Sequence, residues 1–189
     1  MAHKPYRRRS TTNYPGARRI RRVGALLTAT ALMVSCGDSG SPISGDDALS
    51  ALQLVGVDFE LNSILLTNVG SDPVRTEGLH LCQDGDCMEF NIFTIAPRAT
   101  ILFRVAPVGG VDPAGGELAR HRSDGFDDPE SVIDYVAWGT TGHRGARAAA
   151  GAELWNEQDY VPTAGDTIIL TKVEPAIGSD SWQASAEIP

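Results

Sequence analysis

The sequence predicts an all-β protein whose main domain is a β-sandwich. Three observations carry that expectation. Short runs rich in Val, Ile, Leu and Thr recur between residues 51 and 173, clusters of Gly, Pro, Asn and Asp separate them, and no segment keeps a helical apolar stripe over several turns. Many short strands with frequent turns suit two stacked antiparallel sheets, because each strand then buries one face and gives the other to water.

The first element, residues 1–35, is expected to be a signal segment. It holds Lys4, Arg7, Arg8, Arg9, Arg18, Arg19, Arg21 and Arg22 and no acid, followed by an apolar stretch from Val23 to Val34. That stretch is shorter than the ~20 residues a helix needs to cross a hydrocarbon core, so it reads as a cleaved leader and not a permanent span. Small residues normally precede the cleavage site, and here Met33-Val34-Ser35 leads directly into Cys36. This junction resembles the lipobox of bacterial lipoproteins. The resemblance implies that Cys36 carries diacylglycerol on its sulfur, becomes the first residue of the mature chain and is N-acylated, with palmitate-type chains anchoring an exported protein to the cell envelope. Several acyl chains hold a membrane far better than one, at ~0.8 kcal/mol per buried methylene.

Residues 36–50 form the expected tether. The segment "GDSGSPISGDDAL" is mostly Gly, Ser and Asp, too polar to offset the entropy of ordering it. Loss of the leader removes eight of sixteen basic residues and none of the twenty-four acids, so the formal charge of −8 becomes −16. Phosphate binding needs clustered Lys and Arg, which excludes nucleic acid as an expected partner.

Residues 51–189, about 140 residues, are enough for one domain with a real core. The expected strands run in order through "ALQLVGVDF", "NSILLTNV", "GLHLC", "CMEFNIF", "TILFRVA", "SVIDYVAW" and "DTIILTKV". "HRGARAAAGAELW" is the best helical candidate, limited to a turn or two by its glycines. In "CQDGDC", Asp84-Gly85 suits a tight hairpin turn with Cys82 and Cys87 on the flanking strands. Export into an oxidising compartment then favours a disulfide between them. A redox or metal pair is the alternative, although four intervening residues do not make a dithiol motif.

With the strands placed, "ILLTNVGSDPVRTEGLHLC" is similar to the strand–turn–strand of lamin-tail-type domains. The likeness rests on Asn68 and Gly70 at a strand end, Pro73-Val74 beyond it and Gly78 before the next strand. "IAPRATILF" resembles the strand entry that follows, and residues 128–170, with Trp138-Gly139, Gly142-His143 and Trp155, look like the later part of secreted bacterial domains of this type. Leu79 stands where the family usually has tryptophan, and the stretch from Pro107 to Pro129 follows no family pattern. The resemblance, over roughly residues 53–184, implies an immunoglobulin-like β-sandwich used for binding or surface architecture, with no transferable catalytic residues.

Candidate chemistry is sparse. His80, His121 and His143 are widely spaced, without a pair that would set two metal ligands on one face. Ser131, Asp134 and His143 could be named as a triad, but no nucleophile elbow accompanies them, and no enzyme activity or resident cofactor is expected. The acidic loop "SDGFDDPE" offers Asp124, Asp127, Asp128 and Glu130 as oxygen ligands for calcium, although it lacks the spacing of an EF-hand loop. Trp138, Trp155 and Trp182 either seal the core or form an aromatic platform. Residues 138–155 are the expected partner-binding segment, through Trp138, His143, Arg144, Arg147 and Trp155. The two arginines stand without an acid between Trp138 and Glu153 in a strongly anionic chain. The alternative is that these arginines pair with the domain's own carboxylates. The expected partners are thus the membrane, through the lipid, and an envelope protein or glycan. The alternative function is a calcium-dependent carbohydrate binder or an accessory domain of a secreted hydrolase.

Overall fold

Apolar alternation decides which face of each strand is buried, and the first strand shows the rule together with its exception. In β1 (Leu52–Asp58), Leu52, Leu54 and Val57 are buried. The phase slips because the pairing with the next strand jumps between Leu54 and Gly56, leaving Val55 as an extra, bulged residue. The computed structural model describes residues 51–105, 109–173 and 177–187. The expected leader, the tether and Cys36 lie outside these residues.

Ten further strands follow: β2 (Ser63–Asn68), β3 (Val74–Arg75), β4 (His80–Gln83), β5 (Asp86–Glu89), β6 (Thr94–Ile95), β7 (Thr100–Arg104), β8 (Gly116–His121), β9 (Val132–Trp138), β10 (Ile169–Lys172) and β11 (Trp182–Ser185). One sheet has the order β11-β10-β1-β2-β7, a second β5-β4-β8-β9, and β3 pairs with β6. Every strand pairing is antiparallel. Leu52, Leu54, Ile64 and Leu66 of the first sheet join Leu81, Leu118, Val136 and Trp138 of the second in one buried cluster. The two larger sheets therefore share a core, as the layers of a sandwich do.

Two polar groups organise this core. Asn68 is fully buried and donates through Nδ2 to the carbonyls of Asp72, Ile95 and Ala96 at 2.7, 3.1 and 3.2 Å, while its Oδ1 accepts from Gly70 N–H at 2.9 Å. One amide thus shapes the turn after β2 and ties it to β6. Asp134 of β9 accepts from Arg120 Nε and Nη2 at 2.9 and 2.7 Å and from Leu54 N–H, at the β1 bulge, at 3.1 Å. Lys172 of β10 approaches the same carboxylate at 3.9 Å, so Asp134 reaches from one sheet to the other.

The Asp84-Gly85 turn forms as expected: both residues have positive φ, 49° and 96°, which a tight type I′ turn requires. Cys82 and Cys87 face each other across it, 4.1 Å apart at Cα, and are joined by a disulfide. The short helix is also present, as α1 (Ala146–Gly151). The expected strand over "CMEFNIF" is shorter than its apolar content suggests, because β5 ends at Glu89. Beyond it, Phe90 N–H still bonds Leu79 O, but Asn91 and Phe93 turn their carbonyls to Thr76.

Candidate functional site

The segment 138–155 is held down by a carboxylate that its own sequence does not contain. Glu117, on β8, is buried and accepts the Gly145 N–H at 2.9 Å on each oxygen and the Tyr135 hydroxyl at 2.6 Å. Burial pushes the Glu117 carboxyl above the usual carboxylate range, against the bonds from Tyr135 and Gly145, which favour its charged form. Burial also raises the Tyr135 phenol well above its ordinary value, and the adjacent Glu117 charge adds to this. The result is a buried anchor beneath the loop.

From that anchor the two residues on either side of Gly145-Ala146 turn outward. Arg144 and Arg147 are exposed. The Arg144 guanidinium lies 5.3 Å from the centre of the Phe126 ring and 3.6 Å from Asp127 Oδ2. With Arg147, Ala148, Asp127 and Pro129, it lines an open depression of about 530 Å³. The acidic loop and the arginine loop, separate candidates in the sequence, are therefore neighbours in space. Arg144 also packs over the hairpin turn, where a side chain at Gly85 would collide with its guanidinium. The Arg144–Asp127 pair matches the alternative in which the arginines meet the domain's own acids, but both partners are largely exposed, and such a pair is weak.

Other expected site residues are placed differently. Trp138 and Trp155 were candidates for partner contact, and both rings are in the core, at 0 and 4 % exposure. Trp138 Nε1 donates to Asp112 O at 2.7 Å, and Trp155 Nε1 to Asp159 O at 3.0 Å while its ring meets Tyr135 edge-on. Neither presents a platform, because a small sandwich uses such rings to close its ends. Gly139, after Trp138, has φ 78° and packs directly against the Ala114 carbonyl, so only glycine suits that position. His143 is half-buried, with Nε2 3.2 Å from Trp138 O, a backbone contact that orients the loop.

The nominal triad is not assembled. Ser131 bonds Ser123, Asp134 holds Arg120, and His143 faces Trp138 O. Nor do the acids gather for calcium: Asp127 faces Arg144, and Asp128 Oδ1 accepts from Glu130 N–H within its own turn. Among the described residues, no three His, Cys, Asp or Glu side chains converge as metal ligands would.

Sequence reasoning missed Glu117, and no local signal marked it. "GELARH" lies in the stretch that follows no family pattern and carries no expected strand, yet all six of its residues are buried. His121, in the same strand, lies opposite His80, its ring stacked on Phe126 at 5.9 Å, and neither of its ring nitrogens has a hydrogen-bond partner among the described residues. Compared with protein-family models, with curated proteins and with solved structures, the chain matches none of them.

Proposed function

We propose that this chain is a lipid-anchored lipoprotein of the bacterial cell envelope, whose immunoglobulin-like, lamin-tail-like sandwich is a non-catalytic binding or architectural module. The observation that supports it best is the Arg144–Arg147 rim. Two exposed guanidiniums border an open depression in a chain that, without its leader, carries eight bases against twenty-four acids. The buried bonds from Glu117 to Gly145 fix the backbone between them, so the rim is presented on a rigid support rather than a loose loop. Arginine at such a site offers planar, bidentate recognition of a carboxylate, as on an acidic protein surface or a uronic-acid glycan. The leader ending at Cys36 supports the anchor.

Two measurements test the reading. Crosslinking in envelope preparations identifies neighbours of the wild-type protein. Arg144→Ala with Arg147→Ala is expected to lose them while the melting temperature stays within about 4 °C, because exposed ion pairs contribute at most ~1 kcal/mol. Lowered melting with the same neighbours retained would make the rim structural. Separately, Cys36→Ser is expected to leave the protein unacylated by intact mass and absent from the detergent phase. A wild-type protein that starts elsewhere and partitions into water would remove the anchor from the proposal.

A further inference from the structure

The two larger sheets leave four strand edges, β11, β7, β5 and β9, and their chemistry differs. The β9 edge is partly covered: Val161 bridges Trp138 in parallel, donating to Ala137 O at 2.8 Å and accepting from Gly139 N–H at 3.0 Å. The β5 edge is acidic, with Asp86 and Glu89 exposed beside a disulfide-closed turn. β11 is a four-residue strand that ends in a 2.7 Å bond from Ser185 Oγ to Glu187 O. The fourth edge, β7, carries no acid and has no pairing strand on its outer side among the described residues.

β7 is also the most regular of these edges. Its register with β2 runs unbroken from Thr67↔Thr100 to Ser63↔Arg104. Ala99 O accepts from Asn68 N–H at 3.0 Å and Val105 N–H donates to Asn62 O at 3.1 Å, both toward β2. The two-residue alternation of an antiparallel ladder therefore turns the N–H and C=O groups of Thr100, Leu102 and Arg104 to the open side. The nearby segment 90–95 does not fill that side, since Phe90 bonds Leu79 and Phe93 bonds Thr76. Leu102 is 48 % exposed and pairs with Leu65 on the outer face, so an apolar pair sits beside the unused ladder. Proteins usually blunt such an edge with a bulge, a proline, an inward charge or charged side chains along it; Thr100–Arg104 has no bulge, proline or inward charge, and its one charge, Arg104, stands at its end.

Charge selects the occupant. Arg75, Arg120, Arg144 and Lys172 each have an ion pair within the domain. Arg98 and Arg104, exposed at the two ends of β7, have none among the described residues, and no acid lies between Glu89 and Asp112 in the sequence. A second copy pairing through the same edge would bring its own Arg98 and Arg104 against these. We infer that the open edge of β7 accepts an extended acidic segment of a partner protein as an added strand. Main-chain bonds form to Thr100, Leu102 and Arg104, an apolar side chain lies on Leu102, and carboxylates at the segment's ends meet Arg98 and Arg104. This surface is separate from the Arg144–Arg147 rim and does not depend on it.

The test uses the full chain and two short capped peptides of alternating valine and threonine, one with glutamate at each end and one with lysine. The glutamate-ended peptide is expected to bind and to slow amide exchange at Thr100, Leu102 and Arg104, whereas the lysine-ended peptide leaves them unchanged. Leu102→Pro removes an N–H from the open side without touching the β2 ladder, so binding is lost while melting is retained. Should that variant fold poorly, Arg98→Glu with Arg104→Glu serves instead, and it is expected to reverse the preference between the peptides by about tenfold or more in each direction. Absence of protection with either peptide, or equal binding of both, would overturn the inference. So would a concentration-dependent dimer that Leu102→Pro dissolves, because the edge would then belong to a second copy.

Discussion

At His121 a titratable ring occupies the end of a buried strand with no partner for either nitrogen among the described residues. Burial lowers its pKa to about 4, with the neighbouring His80 adding to the shift and Asp128 opposing it. The unfolded chain, with an ordinary imidazole near 6.5, binds a proton in the interval where the folded protein does not. Stability is therefore complete above about 6.5 and falls as the pH drops toward 4. Glu117 works in the opposite sense, since its raised pKa lets the folded state hold a proton that the unfolded chain releases as pH rises past the ordinary carboxylate range. The two are separated by substitution. His121→Leu, of similar volume and without a titrating group, is expected to lose about 2–3 kcal/mol less than wild type between pH 6.5 and 4, read from urea midpoints at several pH values. An unchanged pH slope would show that His121 titrates normally. None of this was legible in the sequence, where His121 was a histidine without a motif.

The hairpin of β4 and β5 and the strand β8 mark the two extremes of what local sequence conveys. The hairpin is specified within six residues, because Asp84-Gly85 takes the positive φ angles of the turn and the cysteines beside it are brought within bonding reach as a consequence. The disulfide then closes a loop so short that it removes little freedom from the unfolded chain. Its reduction is expected to cost less than the ~3 kcal/mol of a 15-residue loop and to leave the β-sheet signal intact. Calorimetry with and without reductant checks this, and unfolding on reduction would mean that the turn does not hold by itself. β8 shows the reverse. Its Glu117, Arg120 and His121 break the apolar alternation that would mark a central strand, and the groups that meet Glu117 and Arg120 lie far away in sequence. β3 and β6, two residues each, were likewise not expected, because they are too short to carry a pattern, and neither was β11, whose "WQAS" has a single large apolar residue.

At the scale of the described domain the two larger sheets are joined by apolar packing and by the Asp134 carboxylate. Asp134 holds the buried Arg120, the β1 bulge at Leu54 and Lys172 of β10, so its removal takes two charge-assisted hydrogen bonds from a guanidinium that is 1 % exposed and one from the Leu54 N–H. Asp134→Ala is expected to destabilise the domain by about 3–5 kcal/mol, measured by chemical denaturation. A loss of less than ~1 kcal/mol would mean that water or another acid replaces it. Short-range features were determined by the sequence: the β-rich class, the hairpin and its cysteines, the brief helix, and the turn after β2 that Asn68 and Gly70 build. Each depends on alternation or backbone preference within a few residues, which local chemistry decides. The tertiary structure decided which polar residues are buried, that Trp138 and Trp155 face inward, that the acidic and arginine loops meet, and that no described strand pairs with the outer side of β7. Those outcomes depend on which distant strands pair, and in a sandwich pairing is settled by the shared core and its few buried charges rather than by any one segment.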